Sequence, residues 1–127
     1  MDAIETFAAH VARTRISDLP ADAVLAAKTF ILDTFGVGIA GTAGPKASEL
    51  SAVQSVWGIG DEARVWGTGV RSTATGAAFC NAYQSHCSEF DCVHEAAVAH
   101  VMTVVLPGGE TQDANGHRLG GRSEPHH

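Results

Sequence analysis

Residues 86–100 read HCSEFDCVHEAAVAH, and gather three histidines, two cysteines and three carboxylates into a chain otherwise rich in Ala, Val, Gly and Ser. Proton transfer is one chemistry open to such a set. A carboxylate beside an imidazole fixes its tautomer and favours its protonated form, so the ring can give or take a proton near neutrality. Asp91, His94 and His100 would be the working groups, suited to removing a proton from carbon next to a carboxylate. The enolate-like charge so formed needs donors that this stretch scarcely supplies. Metal binding would draw on His86, Cys92, His94 and His100, with Cys87 or Asp91 in reserve. Structural zinc sites present paired ligands such as CxxC and HxxxH, and neither spacing occurs here; Cys92-x-His94 is too close for a standard pair. No metal is therefore expected. A purely structural role is the third possibility. Asp91 and Glu95 would then sit at helix ends or turns, His94 in a solvated loop, and His100 as a buried, hydrogen-bonded ring. Spacing alone leaves the choice open.

The elements that must hold this stretch read as helices. Ile4, Phe7, Ala8 and Val11 recur at helical spacing, with Asp2 and Glu5 in the first turn, where the helix dipole favours anions. After a break at ISDLP, Pro20 suits the start of a second helix with an inward stripe of Val24, Ala27, Ile31 and Phe35. It runs into GVGIAG, where Gly36, Gly38 and Gly41 permit a close backbone approach or end the helix. No strand precedes these glycines and GxGxxG is absent, so they do not read as a nucleotide loop. Pro45 can open a third helix through Leu50, Val53 and Trp57. A turn, an extended piece around Arg64–Trp66 and another turn follow. Ser72 or Thr73 can cap a fourth helix of small residues, central in the packing, whose C-terminal end points at His86. The apolar run VMTVVLP begins just after His100. Beyond Pro107 only Ala114 and Leu119 have anything to bury, so residues 1–107 are expected as the folded part and 108–127 as a disordered tail.

Composition narrows the function classes. Eight basic against fourteen acidic side chains give a net charge of −6, without a nucleic-acid footprint. That acidity also means an anionic substrate would need local cations or helix N-termini. The N-terminus lacks the basic start and apolar run of a secretory signal. The most apolar stretch, residues 29–41, carries Asp33 and is shorter than the about 20 residues of a membrane span, so no membrane association is expected. Three cysteines, an odd number, suit reduced thiols and a cytoplasmic location.

Taken in order, AAKTFILDTFGVGIAG, AAFCNAYQSHCSEFDCVHEAAVAH and the following VVLP resemble the N-terminal part of the MmgE/PrpD family, over residues 4–107. That family includes 2-methylcitrate dehydratase, cis-aconitate decarboxylase and iminodisuccinate epimerase. The resemblance implies a mainly α fold, the N-terminal portion of an all-helical domain. It also implies proton transfer on small di- or tricarboxylates without metal or organic cofactor, and homodimers. Its acidic–aromatic–Asp segment falls on Glu89, Phe90 and Asp91, and its histidines on His94 and His100. The implied roles are His100 as acid or base, Asp91 and His94 beside it in a shared pocket, and Glu89 and His86 in contact with substrate. Cys92 stands where many members have a second Asp, Glu89 where Asp is frequent, and Val101 where Pro often follows the histidine. Members are several times longer, with the rest of the helical domain and a second, mixed α/β domain; the cleft lies between those parts, which supply further catalytic groups including a lysine and another histidine. The chain is thus expected to be a truncated member, inactive alone, with apolar faces left uncovered around residues 20–42 and 71–86. Two other expectations are kept. One is a non-catalytic helical fragment acting by dimerisation or by docking on a longer relative; the other is a small His/Cys metal-binding module.

Overall fold

The computed structural model describes residues 2–57 and 59–109, so the expected tail at 110–127 lies outside the described residues. The described residues form five α-helices and one small hairpin: α1 Ala3–Arg13, α2 Ala21–Ala40, α3 Ala47–Trp57, β1 Ala63–Arg64, β2 Arg71–Ser72, α4 Ala74–His86 and α5 Val101–Gly109. The mainly α class is the one the sequence implies. Each start has a local cause. Asp2 caps α1, its side chain accepting from the Ile4 N–H while the Glu5 carboxylate accepts from the Asp2 N–H. Pro20 precedes α2, with φ already near the helical value. Thr73 caps α4, its hydroxyl accepting from the Gly76 N–H at 3.1 Å.

The centre of the molecule is α4, which packs against α2, α3, α5 and the hairpin. Ala77 and Cys80 on α4 meet Leu50 of α3 and Ala63 and Val65 beside the hairpin, with Tyr83 against the edge of this core. Asn81 locks the hairpin to the helix: its Oδ1 accepts from the Trp66 N–H at 2.9 Å and its Nδ2 donates to the Arg64 carbonyl at 3.1 Å. An otherwise unpaired stretch of backbone is satisfied there by one buried amide. The antiparallel pairing of Ala63 with Ser72 and Arg64 with Arg71 turns the extended piece expected around Arg64–Trp66 into a closed hairpin.

Glycine sets how closely α2 approaches α4. A Cβ on Gly41, in the 3-10 turn Gly41–Ala43 that continues α2, would stand 2.0 Å from the Gln84 carbonyl oxygen. One on Gly38 would meet the Trp66 ring at 2.8 Å. Gly36 faces open space. The stripe expected on α2 is only partly inward. Val24 and Phe35 are half-buried, Phe35 against Trp66 at 4.4 Å between ring centroids, whereas Ala27 and Ile31 are exposed. The buried positions of α2 are Thr34 and Gly38, because neighbours reach only its C-terminal part.

Two further differences concern extent. The segment Ala21–Ala43 is continuous, with mean hydropathy 1.6, long and apolar enough to cross a membrane by length and composition, a test that the core helix of a soluble protein also passes. The expectation of no span rested on residues 29–41 alone and counted too few. Gly108 and Gly109, read as the start of the tail, continue α5. Pro107 within that helix is fully buried, and the helix continues two residues past it although Pro has no N–H to give the Thr103 carbonyl.

Candidate active site

The last turn of α4 and the first of α5 face each other across the loop 87–100, and that crossing brings the polar residues together. His86 ends α4, and the Cys87 N–H continues its ladder to the Tyr83 carbonyl at 2.8 Å. The chain then reverses through Glu89, whose φ of +52° lies in the left-handed region. This reversal turns Asp91 back under the helix end. A second tight closure follows: the His94 N–H donates to the Ala99 carbonyl at 2.9 Å, and Val98 sits at φ +49°. His100 comes immediately before α5, and Thr103 lies in its first turn.

Asp91 is the hub. Its carboxylate is wholly inaccessible, while the side chains of His86 and His100 are 47% and 37% exposed. Two reachable imidazoles are therefore held by an anion that solvent cannot reach. His86 Nδ1 stands 3.0 Å from Oδ1 and 3.3 Å from Oδ2. His100 Nδ1 lies 2.9 Å from Oδ2, close enough for an ion pair but outside hydrogen-bond alignment. The buried Thr103 hydroxyl donates to Oδ2. The two rings meet edge to face, with centroids 4.7 Å apart. Burial pushes the Asp91 carboxyl up, but hydrogen bonds from Thr103, His86 and the backbone, with the charge on His86, outweigh it; the net shift is downward, and the group stays ionised. An open groove of about 380 Å³ adjoins the pair, lined by His86, His100 and Thr103 with Phe79, Ala82 and Val104.

The residues singled out in the sequence thus divide. His86, Asp91 and His100 converge. His94 does not join them: it is exposed, and its Nδ1 accepts from the Ala97 N–H at 3.1 Å, closing its own loop. Its place is that of the solvated loop histidine, which corrects the expected shared pocket of Asp91, His94 and His100. Glu89 is exposed at the chain reversal, and its carboxylate has no ion pair among the described residues. The alternative metal set of His86, Cys92, His94 and His100 does not assemble, because Cys92 and His94 stand outside the cluster formed by His86, Asp91 and His100. Thr103 was missed. Its one sequence signal is a hydroxyl inside the apolar run VMTVVLP.

With two imidazoles on one buried carboxylate, beside a groove open to small molecules, the arrangement can hold and pass a proton. The comparison with protein families agrees with the chain's architecture: residues 5–109 match the MmgE/PrpD N-terminal domain. The chain belongs to that family. No curated protein and no solved structure matched it.

Proposed function

We propose that these residues carry the proton-transfer side of a lyase or isomerase site for a small di- or tricarboxylate, of the 2-methylcitrate dehydratase kind. The observation that supports this most is the buried, ionised Asp91 bearing His86 and His100 at the mouth of a groove. His100, whose partly exposed ring lines the groove while its Nδ1 faces Asp91, is the acid or base. Asp91 orients it, and His86 contacts substrate. Among the described residues the groove lining contains no Lys or Arg, so the cation that would stabilise enolate-like charge has to come from elsewhere. Turnover by these residues alone is accordingly expected to be absent.

Nuclear magnetic resonance of the whole chain titrated with 2-methylcitrate or cis-aconitate tests the reading. The ring resonances of His86 and His100 should move, those of His10 and His94 should not, and His100→Ala should abolish the response. Shifts that spare both rings would sink it, and turnover by a monomeric chain would refute the missing-cation argument. A second reading, a helical piece that works by self-association or by docking on a longer relative, is favoured by the exposed Leu25, Leu32, Val104 and Val105 on α2 and α5.

A further inference from the structure

We propose that Lys46 is a substrate-binding residue of this site: its ammonium group leaves Glu49 for the rim of the groove and holds a non-reacting carboxylate of the bound acid. The inference rests on the proton-transfer reading above and supplies a charged contact that the groove lining lacks.

The need is electrostatic. A di- or tricarboxylate brings more than one negative charge to a chain whose own net charge is −6, and the buried Asp91 carboxylate adds another anion at the site itself. Such an acid is retained only where positive charge is gathered locally. Of the cations, Arg13, Arg15 and Lys28 belong to α1, α2 and the link between them, while Arg64 and Arg71 belong to the hairpin, where Arg71 is bonded to Asp61. Lys46 is placed differently, because the turn that carries it, residues 41–46, lies against two residues of the groove wall. A Cβ on Gly44 would stand 2.6 Å from Cys87 Sγ. The Tyr83 hydroxyl donates to the Pro45 carbonyl at 3.1 Å. Cys87 and Tyr83 line the groove together with His86. Lys46 follows Pro45 directly, and its flexible four-carbon stem gives the ammonium group a wide reach.

Two features of Lys46 itself agree with this role. Its φ of +58° lies in the left-handed region, which a lysine rarely adopts and which recurs at ligand clamps. Its resting partner is also easily exchanged. Lys46 Nζ stands 3.1 Å from Glu49 Oε1, with the two side chains 70% and 59% exposed, and exposed pairs of this kind hold weakly. Glu49 keeps a second partner when the lysine leaves, since the Ser48 hydroxyl donates to Oε2 at 2.7 Å. Contact with a non-reacting carboxylate positions the acid but does not stabilise charge at the reacting carbon. The expected absence of turnover by these residues alone is therefore unaffected.

The chain has two lysines, so Lys28 serves as an internal control. The full chain, with its lysines dimethylated in carbon-13, is titrated with cis-aconitate and followed by nuclear magnetic resonance. The Lys46 methyl signal should move in step with the His86 and His100 rings, while the Lys28 signal stays in place. Lys46→Gln should weaken binding about three- to tenfold, and Lys46→Arg, which keeps the charge, should bind nearly as the unaltered chain does. Glu49→Gln frees the lysine and should strengthen binding about twofold. Rings that respond with equal affinity in Lys46→Gln overturn the assignment of Lys46 and leave the proton-transfer reading standing. A loss in Lys46→Gln that Lys46→Arg fails to restore assigns the lysine to the turn instead and overturns it equally. Rings that do not respond in the unaltered chain remove the reading, and Lys46 with it.

Discussion

Thr103 decides how Asp91 behaves. Its hydroxyl is the foremost of the contacts that lower the Asp91 pKa against the upward push of burial. For a group depressed in the folded state, the stabilisation is present above the ordinary carboxylate value of about 4 and is lost as pH falls through the lower folded value. Thr103→Val keeps the shape and removes the donor. It should cost about 1.5–3 kcal/mol, the range for a hydrogen bond to a charged group, and should raise the Asp91 pKa. Carbon-13 titration of the carboxyl would show the rise, and acid unfolding should begin at higher pH; an unmoved titration curve would count against the hub. The hub itself was legible in part. Asp91 and His100 stood out by residue type, and His86 by its place at the end of a helix of small residues. His94 misled, because two imidazoles six positions apart look equivalent until the His94–Ala99 closure turns one away. Thr103 was illegible for another reason: among valines it passes for a β-branched filler.

At the scale of elements, the approach of α2 to α4 governs where His86 ends up. Gly41→Ala would drive a methyl into the Gln84 carbonyl, a backbone atom that cannot swing aside. The expected loss is about 1–3 kcal/mol, typical of overpacking, with His86 displaced along with the helix end. Gly36→Ala meets nothing within 4 Å and should instead stabilise, by up to about 1 kcal/mol of helix propensity. Thermal melts of the two variants should therefore move in opposite directions; equal shifts would mean that the close approach is unimportant. The sequence reading found these glycines and offered the right pair of reasons, close approach or helix end. It could not rank the three, because the atoms each one meets lie dozens of residues away.

For the whole molecule, the dominant fact is apolar surface. Leu25, Leu32, Val104, Phe79 and Val56 are all more than half exposed, on four different helices. Patches of this sort mark surfaces that associate. Sedimentation velocity of the chain should show a mass above that of the 13.2 kDa monomer, rising with concentration; a strictly monomeric boundary up to high concentration would contradict this. The helical class was legible because helix periodicity, caps and breakers are local. Which faces those helices bury was not. Along α2 the apolar residues surround the helix so evenly that no single stripe stands out, and the choice fell to Thr34 and Gly38, which only the neighbouring elements could make.

Val98 carries a consequence for motion. A β-branched residue with φ near +50° holds a conformation that costs about 1–3 kcal/mol unless its surroundings enforce it, yet its side chain projects almost entirely into solvent. The small closure from His94 to Ala99 is consequently spring-loaded, and it is the segment through which the neighbourhood of His100 gives way first. Amide hydrogens of His94 and Ala97 should trade with deuterium well before those of Ala77 and Ser85 in α4, whereas simultaneous exchange would mean that the tension is spread through the whole fold.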